Sequence, residues 1–311
     1  MFTRTLALLA LTAGGLGALP HVALAQGTDA ATISQAAARL SRQTPARVIR
    51  WLDTRRSVSD ARIGSDGRSL EIRFRDGGSM AILPALGSYT PVSGASRLLQ
   101  RHAFARSYQP SPNAPRALVL EPFATELGLG SQAGAPEITA LQAAGFRVDQ
   151  ASDTQVTTGL MASLPNYNVV YMHTHTGVGP DGHGVLATGE VASCNPYTSP
   201  DGTIQTVTVA GNTSQCFSAI TSRYVALHFG QFPAHALVFL NGCALLNSTE
   251  FMQGLADKGV GVTLSWDNDS TARDGFLSGA AFFNEMGQGD SVSAALSALR
   301  NAGYGTSDVQ G

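Results

Sequence analysis

The sequence predicts an α/β protein in three layers, with a mostly parallel central sheet flanked by helices and a small β-rich unit ahead of it. Three observations carry this reading. Apolar runs of strand length recur at 117–120, 168–175, 236–243 and 260–266, as strands buried on both faces of a parallel sheet do. Segments of helical character separate most of them, a rhythm that predicts right-handed crossovers. The alternation of apolar and charged residues that marks a half-buried strand is confined to the front of the chain, at Ser69-Leu70-Glu71-Ile72-Arg73-Phe74-Arg75.

Taken in order, residues 26–46 are small and polar, with Ile33, Ala36, Ala37 and Leu40 at helical spacing, and predict a short helix. Residues 47–83 read as β-rich. Asp76-Gly77-Gly78 is a turn, and 79–83 return as the partner strand. Residues 84–115 hold Pro84, Gly87, Pro91, Pro110, Pro112 and Pro115, a linker composition, with a helical turn or two at 95–104. This first unit spans 26–115, and the α/β domain spans 116–311.

In the second unit Ala117-Leu118-Val119-Leu120 is a buried strand ending at Glu121-Pro122-Phe123. Residues 136–144 form a helix with Pro in its first turn and Gly145 at its end. A strand starts at 146–148, a short helix occupies 157–163, and the strand 168–175 ends in His173-Thr174-His175. An insertion at about 177–221 follows, with turns at Pro180-Asp181-Gly182 and Pro200-Asp201-Gly202 and a β-rich stretch at 203–209, placed over the sheet edge. A helix is expected at 219–229. The strand 236–243 ends in Asn241-Gly242-Cys243, a helix at 249–258 is closed by Gly259, and strand 260–266 ends at Trp266. Residues 272–286, a turn at 287–289 and a helix at 291–300 complete the chain.

Formal net charge is -2 and Lys258 is the only lysine, so the chain has no electrostatic footprint for nucleic acid. The N-terminus has the layout of a secretory signal: Arg4, an apolar stretch at 6–19, and Ala23-Leu24-Ala25 as the cleavage motif, so that 1–25 would be removed. Nothing after it reaches the roughly 18–20 apolar residues of a membrane span. A secreted or periplasmic protein is expected. Export changes how the three cysteines read. Cys194 and Cys216 share one polar segment and are expected to pair, leaving Cys243 as the odd thiol on an apolar strand.

Parallel strands deliver their last residues to the carboxyl edge of the sheet, where open α/β folds bind ligands. A thiol and an imidazole would meet there. The imidazole can take the thiol's proton, and the thiolate is the attacking species. His175, nearer the strand end than His173, is the expected base, with His173 a support or core group and Asn241 another support. Gly177 and the Cys243 amide are the expected oxyanion donors.

These features together resemble the caspase-like cysteine peptidases, the group of caspases, legumains, gingipains, separase and the CHAT domains. The resemblance rests on the strand ending in His followed shortly by Gly (169–177), the later strand ending in a small residue and Cys (238–243), and the tail. That tail is a helix, the Gly-capped strand 259–266 and the pattern Phe282-Phe283 … Gly289-Asp290-Ser291-Val292-Ser293-Ala294-Ala295. It covers about 116–303. It implies a caspase-like fold, peptide or protein as substrate, hydrolysis through a thioester formed by a His175–Cys243 dyad, and no cofactor. It also implies a P1 pocket lined by the segment after Trp266, where Asp267 and Asp269 would select a basic residue.

Two other classes compete. One is a non-catalytic exported binding module on the same fold, with Cys243 a buried core thiol, since free Cys is among the most buried residue types. The other is a metal-dependent hydrolase built on His173-x-His175 with Asp181 and His183; only 136 residues follow His175, too few for the usual barrel of roughly 200–250. No Gly-x-Ser-x-Gly elbow is present for a serine hydrolase. Gly128-Leu129-Gly130-Ser131 lacks the Lys-Ser/Thr of a phosphate loop. The unit 26–115 reads as a prodomain covering the site, with cleavage expected near 108–115.

Overall fold

A computed structural model describes residues 21–87, 113–212 and 214–304, with backbone alone for 21–28. The apolar stretch of the expected signal, most of the linker, its helical turns at 95–104 and most of the expected cleavage region lie outside the described residues.

The parallel sheet is present. Strands β4 (Arg116–Glu121), β5 (Arg147–Ser152), β6 (Val169–His173), β11 (Ala236–Asn241) and β12 (Val260–Leu264) form five parallel strands in the order β5-β4-β6-β11-β12. By position in the sheet this is 2-1-3-4-5, a doubly wound order whose switch point lies between β4 and β6. The apolar runs form these strands because both faces are covered. On one face Leu118, Leu120, Val170, Met172, Val238 and Leu240 pack with Met161, Tyr224, Val225, Phe251 and Leu255. On the other, Val119, Tyr171, Leu237 and Phe239 pack with Leu141, Phe282, Phe283 and Leu299.

The front of the chain departs from expectation. Helix α1 (His21–Leu40) buries Ile33, Ala36 and Ala37 as its spacing implied. However, 45–52, read as the start of a β region, is a second helix, α2 (Pro45–Leu52), opened by Pro45 and burying Val48 and Leu52. The β unit proper is β1 (Val58–Ile63), β2 (Leu70–Phe74) and β3 (Ser79–Leu83).

This unit does not stand apart from the insertion. The stretch expected to lie over the sheet edge supplies β7 (Thr176–Val178), β8 (Gly184–Ala192), β9 (Ile204–Val209) and β10 (Cys216–Thr221). With β1–β3 they make one seven-stranded mixed sheet in the order β1-β2-β3-β9-β10-β8-β7. The join is β3 against β9, parallel, with Ala81 opposite Val207. One face of this sheet (Leu70, Ile72, Met80, Ile82) packs on α1 and α2. The other (Ala81, Leu83, Val185, Ala187, Val207, Phe217, Ala219) packs in a cluster that contains Cys243. The helix expected at 219–229 begins at Ser222, because β10 runs to Thr221. Cys194 and Cys216 form the expected disulfide.

The remaining helices are α3 (Ala135–Ala143), α4 (Thr158–Met161), α5 (Ser222–His228), α6 (Thr249–Asp257), α7 (Ala272–Gly287) and α8 (Val292–Asn301). Ser248, Thr271 and Ser291 cap α6, α7 and α8 by accepting from Phe251, Asp274 and Ala294 amides. Among the described residues no helix is long and apolar enough to cross a membrane.

Candidate functional site

The strand bearing the histidines stops earlier than its apolar run implied. β6 ends at His173, and within two residues the chain leaves the parallel sheet and enters β7 of the mixed one. The crossing is fixed on β8: Thr174 Oγ1 donates to Ala187 O at 2.7 Å and Ala187 N to His175 O at 3.0 Å. His173 and His175 therefore do not project alike, because the two-residue period of a strand ends between them.

His173 is fully buried on the face covered by α7. Its Nδ1 lies 3.3 Å from Glu121 Oε2, and its Nε2 abuts Gly275 of α7 so closely that a Cβ there would overlap it. Glu121 ends β4 and His173 ends β6, so this pair sits at the switch point. Beside it are Glu137 of α3 and the Tyr171 hydroxyl, which both crowd Gly279. Burial and the neighbouring Glu121 charge push the Glu137 carboxyl up to about 8. Burial also raises Glu121, against the pull of His173. Asn241 closes the network. Its Oδ1 accepts from Trp266 Nε1 at 2.6 Å, and its Nδ2 donates to Gly275 O at 2.7 Å and Tyr171 Oη at 3.1 Å.

His175 is 1% exposed. Its Nδ1 lies 3.1 Å from Pro84 O and its Nε2 3.1 Å from Glu126 Oε1, with Phe123 edge-on to the ring at 4.6 Å. Cys243 is fully buried. Its thiol donates to Ser270 O at 3.5 Å. Burial, followed by the charges of Asp269 and Asp66, pushes it up to about 12. The hydrogen bonds of both groups thus go to other partners. The register between their strands ends at Asn241 opposite His173 across β11 and β6, and Cys243 and His175 each lie two residues beyond that pair in sequence. The turn carrying Cys243 is tight. Gly242 lies against Thr174 O and Thr176, Thr176 Oγ1 donates to Cys243 O at 2.5 Å, and Ala244 has φ +55°. A side chain rarely takes that conformation without compensation elsewhere.

The expected substrate pocket divides. Trp266 turns inward to Asn241. Asp267 is exposed, its carbonyl accepting from Asn247 Nδ2. Asp269 forms an ion pair with Arg68 from the β1–β2 loop. That loop is docked on β7: Asp66 Oδ2 accepts from Val178 N at 3.0 Å, and Ser65 N donates to Gly179 O. Ser69 Oγ closes over Gly177, the expected oxyanion glycine. The strap after β3 adds Pro84 O at His175 and Leu86 O, which accepts from Ala272 N at 2.8 Å.

The metal-type residues are dispersed. His183 contacts Asp181, apart from the settings of His173 and His175. No group of three His, Cys, Asp or Glu side chains among the described residues is arranged to hold a metal ion. Glu137, Glu126 and the Asp66–Arg68 loop escaped the sequence reading. Glu137 had a usable signal, its position four residues before Leu141 on the buried face of α3.

The fold and site define an α/β protein with a doubly wound five-stranded parallel sheet and a separate mixed sheet. No family model, curated protein or solved structure matches the chain.

Proposed function

We propose that the chain is an exported cysteine peptidase of the caspase-like type, in a closed form. The observation that carries this reading is the register: Asn241 lies opposite His173 on adjacent parallel strands, the third and fourth of the sheet, and Cys243 and His175 each follow two residues later in sequence. In the open form His175 would take the Cys243 proton and the thiolate would attack a peptide carbonyl. In the closed form the β1–β2 loop and the strap occupy that edge, with Arg68 on Asp269 where a basic P1 side chain would sit. The disulfide and the lack of a membrane-spanning helix among the described residues fit an exported protein.

A second reading is favoured by the thiol itself. A Cys243 raised to about 12 and held on Ser270 O, with a His175 imidazole whose two nitrogens face Pro84 O and Glu126, suits a non-catalytic binding module. Iodoacetamide labelling at pH 7.5, mapped by mass, separates the two. Wild type is compared with the loop variant D66A/R68A, with and without His175→Ala. The peptidase reading expects faster Cys243 labelling in the loop variant and its loss when His175 is also replaced. A Cys243 that stays unreactive throughout leaves the binding module.

A further inference from the structure

A cavity of about 620 Å³ lies between the mixed sheet and the α/β unit, and none of its lining residues belongs to the apolar cluster around Cys243. It collects side chains from five segments: Glu71 and Arg73 on β2, Asp181 after β7, Gln205 on β9, Arg223 in the first turn of α5, and Glu250 in the first turn of α6. Its volume falls within the roughly 300–1,000 Å³ of small-ligand sites, which favour junctions between units.

The wall is polar and incompletely paired. Gln205 is 6% exposed, and its amide nitrogen has no hydrogen-bond partner among the described residues. Glu71 accepts from Arg73 Nε at 2.9 Å through one oxygen, and its other oxygen is buried without a partner among the described residues. Arg223 and Glu250 are exposed at the rim and make no ion pair among the described residues.

The charges restrict the occupant. Asp181 is already engaged by His183 of the same wall; a simple anion would still meet the carboxylates of Glu71 and Glu250, and a simple cation would meet two guanidinium groups. A sugar would lack its aromatic platform, since Phe74, which also lines the cavity, is 2% exposed. A ligand with separated charges of both signs satisfies the set. Guanidinium groups suit carboxylates through paired N–H donors, and carboxylates suit an ammonium. We propose that this cavity binds a short peptide as its zwitterion, with the C-terminal carboxylate on Arg223 and the N-terminal ammonium on Glu250. The site does not depend on the state of Cys243 and serves either reading of the function.

Calorimetric titration with triglycine, and with its N-acetylated, C-amidated form, tests this on the full chain at low salt and pH 7. Saturable binding of triglycine is expected, with none of the capped peptide. Arg223→Ala and Glu250→Gln should each weaken it by about tenfold, the usual effect of losing a charge-assisted hydrogen bond. Both positions are exposed, so an unchanged melting temperature confirms that each variant is folded. The proposal is overturned if triglycine shows no saturable binding at about 10 mM, if capping leaves binding intact, or if either folded variant binds as wild type does.

Discussion

At the scale of single residues, the switch-point network sets a pH dependence. Glu137 is fully buried and held up to about 8, so the folded state favours its neutral form. A raised carboxyl contributes stability that is complete below its unfolded value, near 4.5, and is lost as pH rises toward 8. The loss is on the order of 4 kcal/mol across that window, shared with the coupled Glu121. Glu137→Gln keeps the shape and removes the charge. Urea unfolding should show the variant gaining on wild type between pH 5 and pH 8, and a constant difference at the two pH values would sink the argument. His173 was legible as a buried core histidine, since it stands inside an apolar strand. Its partner was not, because Glu121 ends a different strand and nothing local announces that the two meet.

At the scale of elements, the parallel strands and most helices were readable because their periods and stops are local, whereas the helix Pro45–Leu52 was read as part of a β region. Ser248, Thr271 and Ser291 stand just before their helices. The change of sheet at Thr174-His175 was not readable. An apolar run gives no sign of which sheet each residue joins, and β3–β9 pairing is fixed by packing between distant residues. The disulfide staples the bend just after β8 to the start of β10 across a separation of 22 residues. Its reduction should lower stability by about 3 kcal/mol, the chain-entropy value for a loop of this length. Urea midpoints with and without a reductant that leaves the fold intact would measure this, and no shift would show that strand pairing alone fixes that corner.

At the scale of the molecule, the shared seven-stranded sheet changes what removal of the front unit would mean. A protease site introduced within 88–112 and cut in the folded protein should leave two fragments that migrate together, because β3 stays paired with β9 and α1 and α2 stay packed on the sheet. They should separate only in denaturant. Separation in native buffer would show that the front unit is a detachable cover. If instead the fragments hold together, opening of the Cys243 edge must come from the β1–β2 loop and the strap, the two pieces that touch it.

The β3–β9 pairing also bears on how the chain reaches this state. Val207 lies 126 residues after Ala81, its partner in the ladder. Closing so long a loop costs about 4 kcal/mol of chain entropy before the pairing returns anything. The hairpins of the front unit therefore wait, one edge open, while the whole first half of the parallel sheet is synthesised. Contacts this distant in sequence slow folding and prolong exposure of unpaired edges. A chain that crosses a membrane from its N-terminus in an extended state would complete neither sheet until most of it had emerged on the far side.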